Sequence, residues 1–85
     1  MKVRCLYFAW VREAIGTDEE LQEFTDDVMT VEAALAALVQ RSEGHGEALS
    51  DPSRLRFAID QKFVDLDAPV HDGAEFGVFP PVTGG

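Results

Sequence analysis

Cysteine is almost missing from this chain. Cys5 is its single thiol, which excludes an internal disulfide and a multi-cysteine metal site and points to a reducing compartment. Basic residues are also scarce, with 7 Lys and Arg against 16 Asp and Glu and a formal net charge of −9. That balance repels phosphate backbones and anionic lipid within about a Debye length, so neither nucleic acid nor a membrane is expected as a partner. Long apolar runs are lacking as well. In MKVRCLYFAWVREAIG, Arg4 and Arg12 interrupt the apolar residues, and no stretch reaches the length of a signal h-region or a membrane span. A cytoplasmic protein, present from Met1 onward, is the expectation. There is also little chain: 85 residues make one domain near the size at which a single core becomes marginal, with no room for a cleft between two domains. The 46% hydrophobic content is that of a globular protein.

Side chains able to carry chemistry are few. Cys5 falls mid-strand on a face expected to be buried, where a thiol without a basic neighbour is inert. His45, between two glycines, and His71, before a turn, have no second histidine at ligand spacing and read as solvated loop residues. Asp65, Asp67 and Asp72 lack the alternating ligand spacing of a calcium loop and read as turn formers. No metal or organic cofactor is expected in the chain, and no catalysis by the chain alone.

What is present is a clear alternation of elements. KVRCLYFAW reads as a strand with Val3, Cys5, Tyr7 and Ala9 on one face and Arg4, Leu6, Phe8 and Trp10 on the other. WVREAIG resembles a turn of helix closed by Gly16, and EELQEF a second strand. Thr30 is a good N-cap for VEAALAALVQR, where Val31, Leu35, Leu38 and Val39 form one stripe. SEGHGEALSDPS reads as a loop with a single helical turn around Glu47 to Ser50, stopped by Pro52. RLRFAID and QKFVDL are strands, with Leu55, Phe57 and Ile59 sharing a face of the first. A turn at Asp72-Gly73 leads into EFGVF, with Phe76 and Val78 inward and Gly77 and Phe79 reversed.

Two strands, a helix and then further strands make an α+β arrangement, a mixed sheet covered on one face by one main helix. First and last strands lying side by side would run parallel, which is the β-grasp, or ubiquitin-like, layout. One helix covers only one sheet face, so Leu6, Phe8 and Phe79 are expected on the open side, joined by Phe63. Each aromatic side chain offers on the order of 150–250 Å², and such a patch marks a partner site.

The chain closes on FGVFPPVTGG. With glycine at about 7% of ordinary composition, two terminal glycines arise by chance in roughly 0.5% of chains. A frayed or cloning-derived end is one reading; a reactive end is the other. A free carboxylate is a poor acyl donor, but joined to a nucleotide phosphate it is activated, and sulfur can displace the adenylate to leave a thiocarboxylate. Such chemistry requires a narrow pocket in another protein. Gly84 and Gly85 carry no side chain to obstruct it, while Pro80 and Pro81 hold the exit extended. The organisation is then a domain over residues 1–79 and a tail over residues 80–85, reaching roughly 20 Å from Phe79 to Gly85 when extended.

VRCLYFAWVREAIGT, TVEAALAAL, RFAIDQKFV and DAPVHDGAEFGVFPPVTGG together resemble the MoaD-type family of small, sulfur-carrying subunits of molybdopterin synthase, nearly end to end. The resemblance implies a ubiquitin-like fold whose Gly85 is adenylated by an E1-like enzyme using ATP and then thiocarboxylated. A sulfurtransferase or cysteine desulfurase would supply the sulfur. It further implies a large-subunit partner, in a heterotetramer, where the tail donates sulfur to cyclic pyranopterin monophosphate. Gly84 would accompany Gly85 in the channel; Phe8, Phe63 and Phe79 would meet the large subunit, followed by Pro80, Pro81, Val82 and Thr83. The pattern has departures: Asp60 stands where members often have asparagine, Ala74 where an acid is common, and the stretch between Gly16 and Thr30 is longer than in short members. Carriers for thiamine or tRNA thiolation share the fold, and a protein modifier joined to lysines would use the same tail.

Overall fold

Alternation along the first segment sets the architecture. Val3, Cys5 and Tyr7 are buried while Lys2 and Arg4 are exposed, the signature of a strand with one covered face. The computed structural model describes residues 1–28 and 30–81. In it β1 (Lys2–Tyr7) leads into α1 (Ala9–Ile15), β2 (Glu19–Glu23), α2 (Val31–Val39) and α3 (Glu43–Leu49). A 3-10 turn (Pro52–Arg54) then precedes β3 (Arg56–Ile59), β4 (Lys62–Val64) and β5 (Glu75–Phe79). The five strands form one sheet in the order β2-β1-β5-β3-β4. β1 and β5 run parallel at its centre, with Leu6 beside Gly77 and Tyr7 beside Val78. All other pairs are antiparallel. This is the β-grasp layout.

The main helix forms where its signals placed it. Thr30 caps α2 by accepting the Ala33 N–H at 3.2 Å, and Val31, Ala34, Leu35 and Leu38 are buried. They pack with Tyr7, Phe57, Phe76 and Val78 into one core. Among the described residues no helix is long and apolar enough to cross a membrane.

Two expectations need correction. The first strand was expected to run on through Trp10, with Ala9 on the core face; β1 instead ends at Tyr7. Phe8 keeps extended angles (φ −128°, ψ 150°), but Ala9 takes φ 54°. That left-handed corner is costly for a residue with a Cβ, and it sends the chain into α1. The second correction is α3, where a loop with one helical turn was expected. Gly44 sits so close to the end of α1 that a Cβ there would meet the Ala14 carbonyl oxygen at 2.3 Å. Gly44, which weakens the local helix propensity, is what allows these two short helices to pack backbone to backbone. Ser42 caps α3 by accepting the His45 N–H at 3.1 Å.

Candidate functional site

The sheet face opposite the helices carries the aromatic residues. Phe79, at the end of β5, shares that face with Gly77, and its ring folds back over the missing side chain: a Cβ on Gly77 would lie 3.0 Å from the ring. Gly77 thus has a packing role. Phe8 stacks flat on Phe79, with ring centroids 4.4 Å apart and planes 5° from parallel. Phe63 comes from β4, which pairs through Ala58 with β3 and thence with Gly77, and its ring lies 5.7 Å from that of Phe79. The three residues expected to share a face therefore form one cluster. It stays uncovered: Phe8 is 39% and Phe63 73% exposed, where a folded chain gains by covering such rings. Arg56 is paired across from Phe79, and an open cleft of about 350 Å³ lined by Arg56, Phe63, Val64 and Asp65 adjoins the cluster. Leu21, 66% exposed, lies on the same face at the far edge, opposite Arg4.

Pro80, half-buried, and Pro81, exposed, continue directly from this cluster. The remaining residues of the expected tail, Val82, Thr83, Gly84 and Gly85, lie outside the described residues.

Sequence reasoning missed a polar network beneath α3. His45, read as a solvated loop residue, is buried. Because Cys5 pairs with Glu20 in the β1–β2 ladder, the Glu20 carboxylate points to the helix side. There its Oε2 accepts from the Tyr7 hydroxyl at 2.6 Å and from His45 Nε2 at 2.5 Å. A carboxylate has no proton to give, so the His45 ring carries its proton on Nε2 and turns Nδ1 to Ser42 Oγ, 2.7 Å away. Burial alone would raise the Glu20 carboxyl, but hydrogen bonds from His45, Tyr7 and Gln22 outweigh it and hold it below the usual range. Burial and then the neighbouring Cys5 and Glu20 push the Tyr7 hydroxyl upward. Among the described residues no buried side-chain nitrogen or oxygen lacks a partner, which marks this as a satisfied structural network. Helical spacing from Ser42 to His45, an N-cap and its N3 position, was the signal that could have revealed it.

The other candidates stay apart from the aromatic face. Burial pushes the Cys5 thiol up to about 12, so it stays protonated and unreactive at neutral pH. His71 is exposed and bonds Asp60 at 2.7 Å. That bond and the Asp72 backbone raise its pKa, while the Glu75 N–H and then His71 lower that of Asp60. Asp72 accepts the Lys2 N–H at 2.7 Å and holds the turn before β5. Among the described residues no three His, Cys, Asp or Glu side chains cluster as a metal would require.

The geometry is therefore an exposed aromatic face that leads directly into Pro80 and Pro81. The ThiS family model matches residues 5–85, nearly the whole chain. The chain belongs to the ThiS family. A curated relative from Escherichia coli strain K12, named molybdopterin synthase sulfur carrier subunit, is 42% identical over 98% of this chain and 99% of its own length. Among solved structures, the small archaeal modifier protein SAMP1 of Haloferax volcanii is similar with TM-score 0.76 and 26% identity over the full length of both chains. One chain from a complex of subunits 1 and 2 of the molybdopterin-converting factor from Helicobacter pylori also matches, over the full length of this chain and of that one, with TM-score 0.68 and 24% identity. At that identity the likeness speaks for the fold.

Proposed function

We propose that this ThiS-family chain is the sulfur-carrying subunit of a molybdopterin synthase. The observation that carries the reading is its end-to-end similarity to the Escherichia coli sulfur carrier subunit, 42% identical over 83 residues. In this reading the Gly85 carboxylate attacks the α-phosphate of ATP in the pocket of an E1-like enzyme, forming the acyl-adenylate and releasing pyrophosphate. Sulfur at the sulfide level then adds to the acyl carbon and displaces AMP, leaving the thiocarboxylate. The chain itself contributes the carrier, not the catalytic groups: its sequence carries two glycines, free of side chains, after two prolines that continue from the aromatic cluster.

The Phe8, Phe63 and Phe79 cluster is the surface assigned to the large subunit. Phe8 and Phe79 are already stacked, so little of their side-chain entropy is lost when a partner covers them. Inside the complex, the thiocarboxylate sulfur adds to a carbon of cyclic pyranopterin monophosphate and an oxygen substituent leaves that carbon; water then attacks the acyl carbon, the acyl C–S bond breaks, and the carboxylate is restored while the sulfur stays on the product. A dithiolene contains two sulfurs, so two charged carriers are consumed per product. The test is to mix thiocarboxylated chain with purified large subunit and cyclic pyranopterin monophosphate. Appearance of the dithiolene product, with two carriers returned to carboxylate mass for each, is expected; unchanged carrier mass overturns the reading.

A second reading has one observation in its favour, the likeness to the archaeal modifier protein. An acyl-adenylate can be attacked by a lysine amine as well as by sulfur, giving an isopeptide bond. Conjugates of this chain on other proteins in its own cell would be the mark of that use.

A further inference from the structure

The tail root has a second side. Beyond the Ala9 corner, Trp10 lies away from the aromatic cluster, half-buried against the core edge. The Arg54 guanidinium sits over its indole, 4.9 Å from the ring centroid. Trp10, Ser53, Arg54, Pro80 and Pro81 line an open cleft of about 460 Å³, which shares no residue with the Phe8, Phe63 and Phe79 cluster. Stacking on the indole holds a guanidinium flat while leaving its N–H edge free for a carboxylate. Among the described residues, Arg54 has no carboxylate within 4.0 Å and its side chain makes no hydrogen bond.

Length then decides what must approach. Residues 82–85 span at most about 14 Å when extended. A pocket that holds Gly85 at a reacting centre therefore has its mouth within that distance of Pro81, and its rim must rest on the surface around the tail root. On one side that surface is the aromatic cluster; on the other it is the Trp10–Arg54 cleft. Covering a guanidinium without pairing it is strongly unfavourable.

We propose that the Trp10–Arg54 cleft is a second docking surface, taking an acidic side chain from the rim of the protein pocket that receives the tail. Arg54 supplies the charge-assisted hydrogen bonds, and Trp10, Pro80 and Pro81 supply the apolar wall. The proposal rests on the carrier reading above. It makes Arg54 a specificity-determining residue in a chain whose net charge of −9 otherwise disfavours acidic partners.

The test uses the full chain with its activating enzyme and ATP, following pyrophosphate release against carrier concentration, and titration of the same variants with the large subunit. Arg54→Glu is expected to raise KM or Kd about tenfold or more while kcat holds. Arg54→Lys, which keeps charge but loses the planar fork, is expected to fall between it and the parent. The parent's KM should also rise with salt, and that dependence should weaken in Arg54→Glu. Arg54 is exposed, so both variants should melt close to the parent. Arg54→Glu within twofold of the parent in both assays overturns the proposal. So does a gain in kcat/KM, which would assign Arg54 to the chain's own carboxylate. Failure of the carrier reading is read separately, on the parent chain, which would then release no pyrophosphate or release it without gaining sulfur on its terminal peptide, whatever residue stands at position 54.

Discussion

Phe76 and Phe79 are neighbours on one strand with opposite duties, and changing each to aspartate separates them. Phe76 is fully buried, its ring 6.1 Å from that of Phe57. Phe76→Asp removes about 3–5 kcal/mol of packing and adds a carboxylate with no partner in the core, worth several kcal/mol more. A domain of this size has only roughly 4–13 kcal/mol of stability in total. Phe76→Asp should therefore be unfolded. Phe79 is half-buried, stacked on Phe8 and tilted against Phe63. Losing two aromatic pairs at about 0.5–1.5 kcal/mol each costs roughly 1–3 kcal/mol, a fall of about 5–20 °C in the melting midpoint. The domain should still fold. Binding to the large subunit should suffer far more, since truncating a central aromatic anchor costs about 2 kcal/mol or more, roughly thirtyfold in Kd. Calorimetry gives the first comparison and titration with the large subunit the second. If Phe79→Asp unfolds as Phe76→Asp does, or binds as tightly as the parent, the assignment of faces is wrong.

Gly44→Ala should destabilise by about 1–3 kcal/mol in chemical denaturation, because its Cβ would meet a backbone oxygen at 2.3 Å. Gly46→Ala, whose nearest contact would be Val39 O at 3.3 Å, should stay within about 1 kcal/mol of the parent; stabilisation by Gly44→Ala would refute the close helix packing. For Glu20 the folded-state pKa is depressed, so its contribution is complete above its unfolded value near 4.5 and is lost as pH falls through the folded one. The stability difference between the parent and Glu20→Gln should accordingly shrink below about pH 4.5, and a difference that grows on acidification would contradict the network. Cys5, with its thiol raised to about 12, should resist alkylation at neutral pH until denaturant is added; rapid labelling of the native chain would place it at the surface.

Much of this was legible because strand alternation is a strict period. Gly77 and Phe79 turn away from Phe76 and Val78 whatever the rest of the chain does, so the open aromatic face could be read before any coordinates. Thr30 and the apolar stripe behind it gave α2 for the same reason. What failed depended on contacts between distant residues. Gly44 and Gly46 read as loop residues until α1 is seen lying against Gly44, and with α3 missed, His45 had no reason to be buried beside Glu20, 25 residues away in sequence. Phe8 was assigned its face correctly, yet the strand's end could not be seen, because Ala9 at φ 54° is a conformation alanine does not favour on its own. Trp10 and Arg54 meet only through that corner.

The central claim is that the chemistry resides at Gly85, and intact mass spectrometry tests it most directly. The chain is incubated with its activating enzyme, ATP and a sulfur donor, then weighed whole and after digestion. The expected result is a gain equal to the replacement of one oxygen by one sulfur, confined to the terminal peptide and abolished by deleting Gly85. A gain on an internal peptide, or a terminal peptide of unchanged mass, would contradict it.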